Sequence, residues 1–286
     1  MIRNFLARCF SQTQIDRSIN DLAKQLSEGK FKQISFLLGA GISVNAGIPD
    51  FRSKEGVYST FTKSNPPETM LNIEYFKENP NPYYKLKAKI LKNYPFKPTL
   101  THYFLSFIQD KKLLNMVFTQ NFDCLELDAG VLPENLVQSH GTYRRGACTK
   151  CHKKADPSKI LKHLLEGEPL LCEKCQGFIK PDIVFFGEML PDDHYLKSEE
   201  LFSSDLCFII GTGMLVKPFA YLERMVLAES PRIIINKEST VELDFILNSN
   251  PKNVFLTGDC DDIITKILKA SKWLEEFENV KAKRNL

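Results

Sequence analysis

A series of short, continuous apolar runs recurs along this chain of 286 residues, and segments with helical periodicity separate several of them. Runs that are apolar on both faces of a strand are typical of a parallel sheet covered by helices on both sides. The pattern therefore predicts an α/β fold with a Rossmann-like, doubly wound parallel sheet. The runs lie at residues 34–38, 116–119, 136–138, 183–186, 206–210, 233–235 and 254–256.

Two segments interrupt this alternation. Residues 53–96 carry prolines, glycines and aromatics but no clear strand, and residues 144–180 carry two pairs of cysteines. We expect both to form a smaller lobe, made of a helical insertion and a cysteine ribbon, with a ligand cleft between the lobes. The larger, Rossmann-like domain is predicted to contain the remaining segments, at residues 15–52, 97–143 and 181–286, and to close on a helix spanning the apolar pattern at 263–277.

The cysteine pairs have the spacing of a metal site. Cys148 with Cys151 and Cys172 with Cys175 form two C-x-x-C pairs separated by twenty residues. Four thiolates complete a tetrahedral Zn²⁺ shell and leave no position for a substrate, so the spacing predicts one structural zinc ion. Disulfides or a redox site are the alternative, but no secretory signal is visible, which favours a reducing compartment.

Composition excludes two classes of partner as the main ones. The net charge is only +3, and the longest apolar runs are far shorter than the roughly 20 residues that cross a bilayer. We therefore expect no membrane and no direct nucleic-acid partner. The rival interpretation is a zinc ribbon that binds nucleic acid through the basic residues around the cysteines, namely Arg144, Arg145, Lys150, Lys153 and Lys154.

A small-residue segment follows the first predicted strand directly. It reads Gly39-Ala40-Gly41-Ile42-Ser43, and the third glycine of a dinucleotide fingerprint is missing at Val44. Small residues let a phosphate approach backbone N–H groups at the start of a helix. Helix capping or tight packing also accounts for glycines, but neither accounts for the polar run that continues to residue 53.

The segment just described and several others resemble the sirtuin family, over roughly residues 21–273. Residues 39–53, GAGISVNAGIPDFRS, are similar to the family signature over its full length. Residues 119–123, TQNFD, resemble the T-Q-N-x-D motif, and residues 139–141, SHG, resemble the segment with the catalytic histidine. Residues 180–188, KPDIVFFGE, are similar to the substrate strand of class I members. Further similarities lie at 211–213, 235–238 and 258–261.

The resemblance implies an NAD-dependent protein-lysine deacylase, chiefly a deacetylase, whose partners are acyl-lysine proteins or peptides. Such enzymes cleave nicotinamide from NAD, capture the ribose with the acyl oxygen, and transfer the acyl group to ADP-ribose. O-acyl-ADP-ribose, nicotinamide and free lysine are the products. Mono-ADP-ribosyl transfer and desuccinylase-like removal of acidic acyl groups are the alternatives.

The resemblance also assigns residues. His140 is expected to be the catalytic base, since a histidine is mostly neutral at about pH 7–8, and Asn121 is expected to assist it. The expected peptide site is an added strand between 186–188 and 216–218, with Val184, Phe185, Phe186, Gly187, Glu188 and Val216 as its residues. The expected cofactor-binding residues are Gly39, Ala40, Gly41, Ser43, Ile48, Asp50, Phe51, Arg52, Gln120, Asn121, Asp123, Gly211, Thr212, Gly213, Asn236, Glu238 and Cys260.

Two departures from the family pattern affect the expected specificity. Gly213 stands where relatives usually have a serine, so one hydroxyl contact to the cofactor is lost, worth about 0.5–1.5 kcal/mol. Tyr84 and Lys87 fall where the desuccinylase branch has its Tyr-x-x-Arg pair. Lys87 does not reproduce the bidentate arginine fork, and a solvated helix face among other lysines is the alternative.

The N-terminal segment, residues 1–14, has the composition of a targeting peptide. It contains Arg3 and Arg8, no acidic residue and several apolar side chains. This predicts a mitochondrial matrix protein processed near Ser11. The alternative is a frayed basic tail on a cytoplasmic or nuclear enzyme.

Overall fold

The structure is a computed structural model, and it describes residues 12–50, 56–57 and 67–284. The strands are β1 (Ile34–Leu38), β2 (Leu114–Thr119), β3 (Leu136–Gln138), β4 (Gly141–Cys148), β5 (Ile179–Ile183), β6 (Leu206–Ile210), β7 (Arg232–Asn236) and β8 (Val254–Thr257). The helices are α1 (Gln12–Ser27), α2 (Pro67–Met70), α3 (Ile73–Glu78), α4 (Asn81–Ile90), α5 (Leu100–Asp110), α6 (Leu125–Asp128), α7 (Pro157–Glu166), α8 (Asp192–Leu196), α9 (Val241–Ser249), α10 (Cys260–Ala270) and α11 (Leu274–Arg284). Short 3-10 helices span Ala40–Ala46, Pro133–Asn135, Lys197–Ser203 and Phe219–Met225.

Six parallel strands form the main sheet in the order β3-β2-β1-β6-β7-β8. The order reverses between β1 and β6, and in open α/β sheets a ligand crevice lies at the carboxyl ends of strands at such a switch point. The predicted Rossmann-like fold is confirmed. Among the described residues, no helix is long and apolar enough to cross a membrane.

Burial on both faces explains why the strands are continuously apolar. Successive side chains of a strand point to opposite faces. Phe36 and Leu38 pack with α1, α5 and α10 on one face, whereas Leu37 packs on the other face with α9 and the 3-10 helix at 219–225. Phe36 also stacks on Phe208 of β6, with ring centroids 5.2 Å apart. If apolar and polar residues alternated along these strands, the sequence would instead predict a sheet with one face exposed to solvent.

One predicted strand of the main sheet is wrong. The apolar run 183–186 does not join it; the observed strand is β5, which pairs antiparallel with β4 in a separate two-stranded sheet. Phe185 from this run packs instead into a third core with Phe76 and Tyr83. The run is apolar because of that second packing environment.

The third core joins both interrupting segments. It combines side chains from α3 and α4 with others from β4, β5 and α7. The chain leaves the main sheet at Gly141 and returns at Ile183, and these two residues are paired across β4 and β5. The predicted C-terminal helix is in fact two helices, α10 and α11, because Lys272 adopts a left-handed φ of 61° between them.

Candidate active site

The loops that follow β1 and β6 touch at the switch point of the sheet. The N–H of Gly39 donates to the carbonyl of Ile210 (3.1 Å), and that of Gly41 donates to the carbonyl of Gly211 (2.9 Å). A Cβ atom at Gly41 would lie 2.6 Å from the Cα of Gly211. The contact between the loops therefore requires these glycines. The following 3-10 helix begins at Ala40, directly at this contact.

Other predicted residues of this segment are partly exposed. Ala40, Ile48 and Asp50 are all half-buried. Phe51 and Arg52 were also predicted to contact the cofactor, but they lie outside the described residues. Their predicted roles stay predictions.

A hydrogen-bond network connects the glycine segment to the Q-N-x-D loop after β2. The hydroxyl of Ser43 donates to Oδ2 of Asp123 (2.7 Å). The amide of Asn121 donates to the carbonyl of Gly39 (3.2 Å) and to the hydroxyl of Ser43 (3.3 Å). Oδ1 of Asp123 accepts from the N–H of Leu125 (3.0 Å). The fold thus brings three predicted site residues into one buried network.

The loop after β6 closes the next part of the crevice. The hydroxyl of Thr212 donates to Oε1 of Gln120 (2.6 Å) and accepts from the N–H of Met214 (3.1 Å). Thr240 donates its hydroxyl to the carbonyl of Gly213 (2.8 Å). A Cβ atom at Gly213 would lie 2.9 Å from the methyl group of Thr240. The glycine that departs from the family pattern is therefore packed tightly against the N-cap of α9.

The loop after β7 and the start of α10 complete this edge. The amide of Asn236 donates to the backbone carbonyl of Glu238 (3.0 Å), whose side chain is exposed. Cys260 is buried at the first position of α10, and Asp259 caps that helix. Asn45 donates to Asp259 (2.8 Å), so the 3-10 helix after β1 and α10 are directly linked. The loops after β1, β2, β6 and β7 and the start of α10, which together carry the predicted cofactor residues, hence meet at one edge of the sheet.

His140 lies where the chain leaves the main sheet. Its carbonyl accepts from the N–H of Val184 (3.0 Å), and its ring lies 6.0 Å from the ring of Phe219. Burial lowers the pKa of His140 to about 4; the hydrogen bond to the Gln120 carbonyl opposes this, and the nearby His194 adds to it. The imidazole is consequently neutral at neutral pH, which is the form that a general base requires.

The predicted peptide segment is largely hydrogen-bonded within the protein. The N–H of Phe185 donates to the Glu188 carboxylate (2.7 Å), and the N–H of Glu188 donates to the carbonyl of Phe185 (3.0 Å). The N–H of Phe186 donates to a carbonyl between α2 and α3 (2.8 Å), and Glu188 also pairs with Lys180 (2.9 Å). Among the described residues, the N–H of Gly187 has no partner. The N–H of Gly187 is therefore the donor of this segment that an added peptide strand could use, and the predicted peptide residues stay predictions.

The second segment of the predicted peptide site also offers a backbone N–H group without a partner among the described residues. Val216 is half-buried, and its carbonyl accepts from the N–H of Ala220 (2.9 Å). No described residue accepts a hydrogen bond from the N–H of Val216. Leu215 beside it and Phe186 in the first segment are both exposed apolar side chains. The two segments thus offer backbone donors with apolar surface next to each.

The four predicted metal ligands converge. The sulfur atoms of Cys148 and Cys175 lie 3.4 Å apart, and those of Cys151 and Cys172 lie 3.6 Å apart. All four lie within 4.8 Å of one another. This donor set of four sulfurs at tetrahedral spacing fits Zn²⁺.

The backbone around the cysteines repeats itself. The N–H of His152 donates to the carbonyl of Cys148 (3.0 Å), and the N–H of Gln176 donates to that of Cys172 (2.8 Å). Both His152 and Gln176 are left-handed, with φ of 58° and 55°. Each C-x-x-C pair therefore sits on the same kind of turn, and His152 holds a turn position rather than a ligand position.

Two of the predicted specificity residues are buried. The hydroxyl of Tyr84 donates to the carbonyl of Ile179 (2.9 Å), so it is used within the third core. Lys87 is only 4% exposed, and its Nζ lies 3.8 Å from the centre of the Phe122 ring. Burial lowers the pKa of Lys87 to about 7, against the attraction of Asp123. The interpretation of Lys87 as part of a solvated helix face is wrong.

Two buried residues beside Asp123 were not predicted. His102 in α5 and Glu126 in α6 are both fully buried. Among the described residues, neither oxygen of Glu126 nor Nε2 of His102 has a hydrogen-bond partner. Both residues sit within ordinary helical patterns, and their burial follows only from how α5 and α6 pack.

Several basic residues around the cysteines are paired with acids of the protein itself. Arg144 forms an ion pair with Asp128, and Arg145 lies 3.6 Å from Asp182. Lys153 lies 3.9 Å from a carboxylate of the same ribbon. These pairs reduce the net positive charge that a phosphate backbone would meet.

Comparisons with known proteins agree with this arrangement. A family model described as the Sir2 family matches residues 39–218. The chain is 35% identical over 286 residues to NAD-dependent protein deacetylase hst2 of Schizosaccharomyces pombe, covering 98% of this chain and 83% of that protein. It is 34% identical over 305 residues to NAD-dependent protein deacetylase sirtuin-2 of Danio rerio, covering 98% and 80%. A solved structure from work on the mechanism and regulation of Sir2 enzymes superimposes with a TM-score of 0.79 at 28% identity, covering 91% of this chain and 99% of that one.

Proposed function

The chain belongs to the Sir2 family, and from that premise we propose its activity: it is an NAD-dependent protein-lysine deacetylase. The observation that carries this proposal is the convergence of the loops after β1, β2, β6 and β7 at the switch point, beside the neutral imidazole of His140. The resemblance to class I members fits the same activity. The reaction removes the acyl group from lysine and releases nicotinamide and O-acyl-ADP-ribose.

NAD, when bound, supplies the ADP-ribose that accepts the acyl group. The segment 39–41 suits its pyrophosphate, because residues this small let a phosphate approach the backbone at the start of the 3-10 helix. The amide of Asn121 and the carboxylate of Asp123 suit the carboxamide of nicotinamide. The remaining contacts, toward the adenosine, are assigned to Gly211, Thr212, Gly213, Asn236, Glu238 and Cys260.

His140 is assigned the role of general base. A neutral imidazole carries a proton on one ring nitrogen and a lone pair on the other, and the second nitrogen can accept a proton. This nitrogen would take the proton from the ribose hydroxyl that receives the acyl group. Asn121 contributes by holding the network around the reacting ribose.

The zinc ion is assigned a structural role. All four positions of its shell are filled by cysteine sulfurs, so it offers no position for substrate. We infer that it stabilises a small lobe, formed by residues 53–96 and 144–180, against the larger domain. Peptide substrates would pair with Gly187 and Val216 between the two.

The activity is tested with the purified, zinc-loaded protein, NAD and an acetyl-lysine peptide. Mass spectrometry should find deacetylated peptide, nicotinamide and O-acetyl-ADP-ribose in equal amounts. A succinyl-lysine peptide should react poorly, since the hydroxyl of Tyr84 is already bonded to Ile179. ADP-ribose attached to protein, without deacetylation, would instead support the transferase alternative.

The location is a separate proposal, supported by composition alone. Residues 1–14 are basic and free of acids, and residues 1–11 among them lie outside the described part of the chain. We propose import into the mitochondrial matrix with processing near Ser11. Sequencing the N-terminus of the protein from its own cells should show the processed end, and an intact Met1 with a cytosolic or nuclear distribution would reject import.

A further inference from the structure

Three buried polar side chains form a cluster behind the pocket assigned to nicotinamide. One side-chain atom each of His102, Asp123 and Glu126 lies within 4.8 Å of those of the other two. His102 and Glu126 are 0% exposed, and Asp123 is 6% exposed. Nε2 of His102 and both oxygens of Glu126 have no hydrogen-bond partner among the described residues. Buried polar atoms without partners are costly, so their retention calls for a physical reason.

The hydrogen bonds decide which carboxyl group carries the charge. Asp123 accepts from the hydroxyl of Ser43 and from the N–H of Leu125, one bond to each oxygen. No hydrogen bond to either oxygen of Glu126 is formed among the described residues, and the nearby hydroxyl of Thr119 and its own backbone favour its charged form only against the larger effects of burial and of Asp123. Two carboxylates so close in a buried site do not both ionise, and the proton stays on the one without donors. Burial, and next the charge of Asp123, raise the pKa of Glu126 to about 8.

The hydrogen bonds also decide the tautomer of His102. The backbone N–H of Thr99 donates to Nδ1 of the ring (3.1 Å). Since a backbone N–H only donates, Nδ1 is the acceptor and the ring proton is on Nε2. Burial lowers the pKa of His102 to about 4, so the ring is neutral. Nε2 of His102 is therefore the ring atom that carries the proton, and the neutral imidazole lies beside the two carboxyl groups.

We propose that Glu126 and His102 are positioning residues for Asp123, holding a neutral acid and a neutral imidazole behind it so that a single negative charge rests on Asp123. This charge fixes the hydroxyl of Ser43 as a donor toward Asp123, and it thereby turns the Ser43 oxygen into an acceptor for the amide of Asn121. The orientation of the Asn121 amide in the nicotinamide pocket then depends on Glu126 remaining protonated. The proposal rests on the proposed deacetylase function.

Other titratable groups face the same cluster and must be separated from Glu126 in any test. Lys87 approaches from α4 and is attracted to Asp123. Asp128 adds a weaker repulsion from α6. The hydroxyl of Tyr143 donates to the backbone carbonyl of Asp123 (2.9 Å) from β4. Of these, Lys87 has the pKa nearest to that of Glu126.

The decisive comparison uses Glu126→Gln and Glu126→Leu in the zinc-loaded enzyme, with kcat and KM for NAD measured from pH 6 to 9.5. Glutamine keeps a neutral donor at every pH, whereas leucine fills the space without one. At pH 7 we expect kcat/KM to stay within about twofold for glutamine and to fall about tenfold or more for leucine, with zinc content retained in both. In the wild type kcat/KM should fall above about pH 8, and this alkaline limb should vanish in Glu126→Gln.

A second measurement needs no activity, so it separates a failure of this proposal from a failure of the proposed function. The pKa of Glu126 is raised in the folded state, so its favourable contribution is complete below the unfolded pKa and is lost as pH rises toward about 8. The melting temperature of Glu126→Gln relative to the wild type should therefore increase from pH 5 to pH 8. A difference that is independent of pH overturns the proposal.

Three other results overturn it. An alkaline limb that persists in Glu126→Gln but vanishes in Lys87→Met would assign the titration to Lys87. Equal losses in the glutamine and leucine variants would show that Glu126 acts only through packing or as an anion. A divalent metal ion bound in addition to zinc, and lost in Glu126→Gln, would make the cluster a metal site.

Discussion

His140 is held on two sides, by its carbonyl bond to Val184 and by the ring contact with the Gln120 carbonyl. Because neither contact involves the cysteine ribbon, His140→Ala should leave zinc content and melting temperature close to wild type. Deacetylation should fall at least about 100-fold, the usual contribution of a general base. Turnover within a few-fold of wild type in the purified variant would reject the assignment.

The depressed pKa of His140 gives a second prediction at this scale. The imidazole stays neutral until the pH falls toward its pKa of about 4, well below the ordinary pKa of histidine. On the acidic side, kcat/KM for NAD should therefore hold down to about pH 5 instead of falling near pH 6.5. The matching contribution to folding stability is present above pH 6.5 and is lost between pH 6.5 and 4. A profile of kcat/KM against pH, with an acid limb near 6.5, would contradict this.

Gly213 allows a graded test of the lost hydroxyl. A serine at this position meets the methyl group of Thr240, which would be 2.9 Å from the new Cβ. Gly213→Ser alone should therefore bring little gain in NAD affinity. Thr240→Ser removes the methyl group and keeps the hydroxyl that caps α9, so the double variant should bind NAD several-fold more tightly. Calorimetric titration measures the NAD affinity of both variants, with Thr240→Ser alone as the control. Equal affinity of the single and double variants would contradict the steric argument.

What the sequence reveals about single residues depends on spacing. The four cysteines and His140 lie in motifs whose chemistry follows from residue type and separation, so they were predictable. Lys87 and Glu126 were not, because a charged residue in a helix is normally solvated. Their burial follows from the packing of α4 and α6 against the loop after β2, which no local pattern encodes.

At the scale of elements, the contact between the loops after β1 and β6 leaves the least space for a side chain. Gly41→Ala places a methyl group 2.6 Å from the Cα of Gly211, where only backbone can move to relieve it. We expect the loop to shift, with NAD binding weakened at least about tenfold and a lower melting temperature. Val44→Ala, on the same 3-10 helix but outside the expected cofactor-binding residues, adds no atom and is the control. Unchanged NAD affinity in Gly41→Ala would show that the two loops separate freely.

Strands were predictable wherever both of their faces are buried by helices. The exception, residues 183–186, shows the limit: the run is apolar because Phe185 enters the third core, and composition does not tell which core an apolar side chain enters. The division of the C-terminal helix was missed for a similar reason. Trp273 packs on Phe107 at 5.8 Å between ring centroids, so the apolar pattern continues across a break in the backbone.

At the scale of the whole molecule, zinc should couple folding to activity at a distance. None of the residues assigned to NAD lies in 144–180, yet Cys172→Ser should lower zinc content, melting temperature and deacetylation together, because metal-binding energy here is also folding energy. Lys174→Ser, an exposed change within the same ribbon, is the control. Full stability and activity in a zinc-free Cys172→Ser protein would contradict a structural metal.

The pairing of Gly141 with Ile183 has a consequence for how such chains diversify. Everything between these two residues leaves and returns through adjacent positions, and a Cβ atom at Gly141 would lie 1.8 Å from the carbonyl oxygen of Asp182. Residues 141–183 are therefore attached to the main sheet as a long loop whose two ends are held side by side. We therefore expect changes of length or charge at its exposed turns to leave the neighbouring His140 in place.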